Sequence, residues 1–406
     1  MRGTPAAVRT SRRLLTGYFL GLGVVMAVWG ARMPAVQQTA RLSTAHLALV
    51  LLAAALGMVT GLQTAGRLAR PDRLPALLTT GSVALAGCLV LLGQCRTLPS
   101  LLVAAVAFGI AHGVADVAAN SAAVRCQNAY GRPIMSGLHA AYSIGALGGA
   151  ALAAATAHTP HRTLFLTTGL ILAGLALAAR PATRSLSGTD QIPALSGTQP
   201  VLSAGKLWLL GALAAASLLG EGAAADWAAV HLHSLGASTA ASACAFALCS
   251  AAMAAGRLAG DRLTQAFSAP TIVRAGALLA AAGLATGVLA ATVPLALAGW
   301  AALGLGLSTA VPSLITAAGV GGPRAVATVA VTGYLGLLAG PALIGALASI
   351  TTLSTALLLP AVLAAAVAAF SHRALEHPTS PSSPRILADP THLPSPNLQE
   401  PRATPR

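Results

Sequence analysis

Gly66-Arg67-Leu68-Ala69-Arg70-Pro71-Asp72-Arg73-Leu74 and Gly256-Arg257-Leu258-Ala259-Gly260-Asp261-Arg262-Leu263 are two versions of one phrase, about 190 residues apart. A second echo at almost the same offset, 192, pairs Tyr142 and Gly148 with Tyr334 and Gly340. One such match is within chance for a chain this rich in Ala and Gly. Two at one offset point to an internal duplication. Each charged phrase separates long apolar runs, so each marks a place where the chain leaves an apolar environment.

The runs around these phrases set the fold class. The chain has 406 residues, 56 % hydrophobic and only 8 % charged, with a mean hydropathy of +0.76. A soluble domain carries roughly 25 % charged residues, so this surface is made to face lipid. About twenty apolar residues cross the hydrocarbon core as a helix. Breaks at charges, Pro and polar clusters give spans at 14–31, 45–66, 75–95, 98–122, 136–157 and 163–180. A second set lies at 205–230, 239–258, 271–291, 294–319, 325–349 and 352–371. The expectation is an all-α polytopic membrane protein with twelve transmembrane helices in two six-helix pseudo-repeats. Its parts would be an N-terminal segment 1–13, halves at 14–180 and 205–373, a polar linker 181–204 and a Pro/Ser-rich tail 374–406. The tail has no periodicity and is expected to be disordered. The 42 glycines suit close helix contacts within a bilayer.

Charge sets the orientation. With the N-terminus in the cytoplasm, Arg32, Arg41, Arg96 and Arg162 lie outside, and the other 20 of the 24 Lys and Arg lie inside. That asymmetry obeys the positive-inside rule and places both termini in the cytoplasm. The net charge of +15 does not indicate nucleic acid, because the arginines are scattered between apolar runs and form no patch with aromatics. Ser11-Arg12-Arg13-Leu14-Leu15 resembles a twin-arginine export signal, but eleven further spans favour a retained first helix. Cys88, Cys95, Cys126, Cys244 and Cys249 lack metal-ligand or disulfide spacing and read as small buried hydrophobes. There is no phosphate-binding Gly-rich loop with Lys and Ser/Thr, no Ser-His-Asp order and no paired-His metal motif. The reading is therefore not an enzyme, with no cofactor and no metal. His231 and His233 read as solvated residues near an outer loop.

Two parallel six-helix repeats around a midplane site form an architecture of secondary transporters. The two phrases resemble the cytoplasmic loop of the major facilitator superfamily. Trp29-Gly30-Ala31-Arg32-Met33-Pro34, Asp116-Val117-Ala118-Ala119-Asn120 and Glu221-Gly222-Ala223-Ala224-Ala225-Asp226-Trp227 resemble a bacterial inner-membrane branch near the fucose permeases. The resemblance covers spans one to twelve and implies a major facilitator fold. It also implies that an Asp and an Arg of each loop cap helix ends and latch one closed state. Asp261-Arg262 match well, whereas Arg70-Pro71 disturb the copy carrying Asp72 and Arg73. The resemblance further implies that spans one, four, seven and ten line a central cavity.

A charge within the bilayer is expensive, roughly 2.5–3.5 kcal/mol on insertion scales. Only Asp116, Glu221 and Asp226 carry acid into the spans. His112, Asp116 and Asn120 are spaced i, i+4, i+8, which stacks them on one face of span four. Asp116 is the first candidate for binding a proton or solute, against simple hydrogen bonding to a neighbouring helix; His112 and Asn120 accompany it. Glu221 and Asp226 lie about 140° apart on a regular helix, so both cannot point squarely into one cavity. Glu221, deeper and flanked by Gly220 and Gly222, is favoured for solute or coupling. Asp226, beside Trp227, reads as a gate or helix-end residue. Two readings of Arg32 stand: pairing with Asp226 or Glu221 when an outer gate closes, or interfacial anchoring alongside Trp29. Hydroxyls of span ten near Pro312 serve freed backbone groups or line the cavity.

The function expected is secondary active transport, as proton-coupled symport of a small polar solute by a lipid-embedded monomer. Proton-antiport efflux of amphiphiles is the alternative, weakened because span five reads Gly145-Ala146-Leu147-Gly148-Gly149 without the Pro of the drug-antiporter pattern. A membrane sensor or scaffold is the third reading, disfavoured for want of a partner domain.

Overall fold

The computed structural model describes residues 6–184, 186 and 202–376, excepting the side chains of residues 44, 239, 240 and 243. Most of the expected linker, at 185 and 187–201, and the expected tail from residue 377 lie outside the described residues. The first half consists of α1 (Ala6–Ala31), α2 (Met33–Thr39), α3 (Thr44–Leu68), α4 (Leu74–Gln94), α5 (Leu98–Tyr130), α6 (Met135–Ala155) and α7 (His161–Thr183). The second consists of α8 (Ala204–Ser234), α9 (Thr239–Phe267), α10 (Ala269–Leu289), α11 (Val293–Leu307), α12 (Ala310–Ala318), α13 (Gly322–Ile350), α14 (Leu353–Ala356) and α15 (Leu358–Leu375). The helices make twelve passes: α11 and α12 form the tenth, α14 and α15 the twelfth, and the short α2 none. Among the described residues, ten stretches are long and apolar enough to cross a membrane. One of them, Val293–Ile350, holds two passes hinged at Gly319–Gly321, and α9 supplies the remaining pass.

Chain chemistry starts and stops the helices. Ser43, Ser203 and Ser238 accept a backbone N–H at the starts of α3, α8 and α9. Pro opens α4, α5, α10, α11 and α13, where its missing N–H is harmless. Helices overrun the apolar runs: α1 starts at Ala6, α5 continues to Tyr130 and α9 to Phe267. Hydropathy marks only the lipid-embedded part of a helix. The twin-arginine-like segment is thus one turn of α1, with Ser11 and Leu15 fully buried.

The internal repeat reappears in the packing. α1 packs on α6, α3 on α5 and α4 on both α5 and α7; six passes later α8 packs on α13, α9 on α11 and α10 on both α11 and α15. Glycines make the first of these crossings close: a Cβ on Gly145 of α6 would strike the Leu20 carbonyl of α1, and one on Gly336 of α13 the Ala215 carbonyl of α8. The halves meet through α3 against α13 and α6 against α9. Those two contacts interchange when the halves are exchanged, as a pseudo-two-fold requires.

The two phrases do not fold alike. α3 ends at Leu68 and the chain turns through 69–73, because the residue before Pro71 is disfavoured in a helix and Pro has no N–H. The second copy, with Gly260 in place of Arg70-Pro71, stays helical inside α9. It was expected between spans and is instead part of one. Arg67 is exposed, whereas Arg257, its counterpart, is only 7 % exposed.

Candidate functional site

The polar face expected on α5 is real. Asn120 Nδ2 donates to Asp116 Oδ1 at 3.2 Å and to the Asp116 carbonyl at 3.0 Å. Tyr334, on α13 of the other half, stands beside the same carboxylate. One turn away, His112 presents its ring to Tyr334 at 6.5 Å between centroids. Its Nδ1 lies 3.3 Å from Met58 Sδ on α3.

Glu221 lies opposite, on α8. Arg257 of α9 donates Nη2 to Glu221 Oε1 at 3.0 Å and Nη1 to Ser143 Oγ of α6 at 2.8 Å. This guanidinium therefore neutralises an acid in its own half and grips a hydroxyl of the other. Tyr142, beside Ser143, and Tyr334 both lie within reach of the charges of Asp116, Glu221 and Arg257. Five passes thus converge on one cluster at the meeting of the halves. His139, one turn before Ser143 on α6, lies within reach of the Arg257 charge, and three buried atoms of the cluster, Asn120 Oδ1, His139 Nε2 and Arg257 Nε, have no protein partner. Buried polar atoms are normally satisfied, so such a site suits a solute or water that brings its own donors and acceptors.

Below the cluster, towards the end of the bundle holding Arg73, Arg132 and Arg262, the halves are sealed. Asp261 Oδ2 accepts the Gly137 N–H at 3.0 Å, so a carboxylate of α9 caps the first turn of α6, where helix dipole and free N–H groups favour an anion. Within the first half, Arg12 stacks on Tyr130 at 5.4 Å and Arg132 on the same ring at 4.6 Å, both within reach of the Asp261 charge. Val124 of α5 meets Gly319, and Gly66 of α3 meets Pro323 and Ala327. Among the described residues, side-chain bonds and ring contacts between the halves all lie between this end and the cluster. Asp116, Tyr142, Glu221 and Tyr334 stay partly exposed while Val124, Ala318 and Ala327 beneath them are buried. The cluster is approached from the Arg32 end.

The remaining candidates separate. Asp226 is exposed, and the structure brings Glu221, not Asp226, to the cluster. Trp227 lies against Gly345 of α13. Arg32, 9 % exposed, donates to the Thr156 and Ala157 carbonyls and so caps α6 in this conformation. Asp72, Arg73 and Arg262 are exposed. His231 departs from the expected solvated loop: α8 runs on to Ser234, His231 is 0 % exposed and it accepts the Trp300 indole N–H at 3.3 Å. Ser308 and Thr316 bond backbone carbonyls at and after the α11–α12 break, the backbone-serving role open to them. Cys126 and Cys249 are buried as expected, but Cys244 is exposed.

The profile described as Major Facilitator Superfamily matches residues 14–323. The chain belongs to the major facilitator superfamily. An uncharacterized transporter of Sinorhizobium fredii is 33 % identical over 88 % of this chain and 98 % of its own length. An uncharacterized MFS-type transporter of Yersinia pestis is 32 % identical, covering 87 % of this chain and 93 % of itself. Among solved structures, FucP in its outward conformation superposes with a TM-score of 0.70 at 17 % identity, over 91 % of this chain and all of FucP. As a member of this superfamily the chain is a multi-pass membrane transporter, of the kind near the fucose permeases that its motifs resemble. Arg257, Tyr142, Tyr334, Ser143 and His139 join the candidate cluster without having been singled out in the sequence. Their signals were present: the tyrosines were the second echo of the repeat, and Arg257 stood inside the phrase read as a loop.

Proposed function

We propose that this transporter is a proton-coupled symporter of a small polar solute, sugar-like or a related metabolite, working by alternating access. The observation that carries this is the arrival of two carboxylates, Asp116 and Glu221, from opposite halves at one polar cluster reached from one end. A carboxylate there binds a proton in one facing state and yields it in the other if the two surroundings differ. Protonating Glu221 removes the counter-charge of Arg257 and loosens the guanidinium that also holds Ser143 across the interface. The tyrosine rings and hydroxyls, Asn120 and His139 offer stacking faces, donors and acceptors to a polyhydroxylated solute, a lining that favours it over an amphiphile.

Proteins of the same fold support the reading. FucP of Escherichia coli is a fucose:proton symporter, and a substituted form of it superposes with a TM-score of 0.65. XylE is a proton:xylose symporter, with a TM-score of 0.67. The arginine-rich end faces the cytoplasm of a bacterial inner membrane, by the positive-inside rule, so the sealed state is outward-facing. Asp261, with Arg262 beside it, latches that seal; Asp72 and Arg73 are its weakened counterpart. Arg32, Asp226 and Trp227 form the outer gate in the opposite state. The transporter acts as a lipid-embedded monomer.

The test is uptake by purified protein in proteoliposomes, over a panel of sugars and drugs with an imposed pH gradient. A sugar-like solute should accumulate with the gradient, and Asp116→Asn should abolish accumulation. Flux indifferent to the gradient, or full coupling in Asp116→Asn, would overturn the proposal.

A further inference from the structure

A second cavity lies away from the cluster, on the outer side of the first half. It runs between α1 and α7 over α4, has a volume of about 340 Å³, and includes Arg13, Gly17, Gly21, Leu85, Leu175 and Ala179 in its lining. Most glycines of α3, α5 and α6 press against a neighbouring backbone, but a Cβ on Gly17 would meet nothing within 4 Å. Here the missing side chain leaves a trough rather than a close crossing. The trough spans α1 from Leu14 to Val25, about 16 Å at 1.5 Å per residue. That is about half the roughly 30 Å hydrocarbon thickness, or one leaflet.

Its ends differ. Towards Val25 the walls are apolar, and no acid lines any part of it. At the arginine-rich end stands Arg13, exposed and without a hydrogen bond or ion pair among the described residues. Arg9, also exposed, follows one turn away on the same face. Arg12, by contrast, turns inward to Tyr130. A hydrogen bond of 3.0 Å between Tyr18 and Thr183 ties α1 to α7 near that end.

We propose that this trough holds one acyl chain of an anionic phospholipid, with its phosphate paired to Arg13. Acyl length fits the trough, and the cation at the headgroup level supplies charge complementarity. Because α1 also carries the Gly23 crossing against Tyr142 of α6, the lipid braces a helix that borders the solute site.

The experiment is native mass spectrometry of the full-length protein in detergent, exposed to equal amounts of phosphatidylglycerol and phosphatidylcholine. The wild type should retain phosphatidylglycerol about fivefold in preference, the effect of one basic residue near a membrane surface. Arg13→Gln should abolish the preference and Arg13→Lys should keep it. Gly17→Trp should fill the trough and lower retention of both lipids. Equal retention by the wild type, or an unchanged preference in Arg13→Gln, overturns the proposal. So does full lipid retention in a monodisperse Gly17→Trp protein. Arg13 is exposed, so its variants decide the matter even where Gly17→Trp does not fold.

Discussion

Arg257 has two obligations, one to Glu221 and one to Ser143. With the Arg257 and Glu221 side chains only 8 % and 21 % exposed, removing one partner strands the other in a poorly solvated place. Breaking a buried pair by deleting one member costs about 3–5 kcal/mol, and the exposure of Glu221 puts this case at the lower end. Arg257→Ala should therefore lower the unfolding temperature in detergent more than the double variant Arg257→Ala/Glu221→Gln, which leaves no lone charge. A double variant as unstable as the sum of the singles would show that the pair is not coupled. Asp116 is held differently, by a neutral donor from Asn120. Asp116→Asn keeps the shape and loses only the titration. Solute exchange between equal concentrations on both sides should survive in it while gradient-driven accumulation is lost.

At the scale of a helix, the same composition serves two purposes. Gly145 and Gly336 let α6 and α13 approach the backbones of α1 and α8. A larger side chain there forces a rigid crossing apart, beyond the roughly 1–3 kcal/mol of ordinary overpacking. Gly145→Leu and Gly336→Leu should each cut the yield of monodisperse protein sharply. Gly148→Leu, one turn along α6 from Gly145 and facing open space, should not. Pro71 shows how one residue divides the fates of two related segments. It stops α3 at Leu68 and leaves Asp72 exposed, whereas unbroken α9 carries Asp261 to the first turn of α6.

At the scale of the molecule, the proposed latch predicts that this asymmetry biases the facing states. The Asp261 carboxylate on the Gly137 N–H is a charge-assisted bond between the halves, of a kind worth about 1.5–3 kcal/mol. Asp261→Ala should shift the population away from the sealed state by roughly tenfold or more. Thiol labelling of a cysteine placed at Val124, buried beneath the cluster, would measure it, and unchanged labelling would count against the latch. Orientation has its own check: cysteines at Arg96 and Arg184 should react with impermeant reagents from outside and inside the cell respectively.

Class, number of passes, duplication and the candidacy of Asp116 and Glu221 were legible in the sequence. They follow from one-dimensional properties: length of apolar run, cost of charge in lipid, and repetition at a fixed offset. The i, i+4, i+8 spacing even predicted that Asp116 and Asn120 would share a face, since helix geometry is local. What hydropathy hid was everything that depended on a neighbour. The second phrase read as a loop because charge ordinarily ends a span. A fold in which Ser143 and Glu221 meet the guanidinium lets α9 continue through Arg257. His231 read as wet because its partner, Trp300, lies 69 residues away. Glu221 was already favoured over Asp226, but its partner Arg257 appeared only where α9 passes beside α8. The sequence alone determined that this chain crosses the membrane twelve times in two related halves, because lipid acts on each residue by itself. Only the tertiary structure decided which buried charges meet, because pairing is a property of helices brought together from distant parts of the chain.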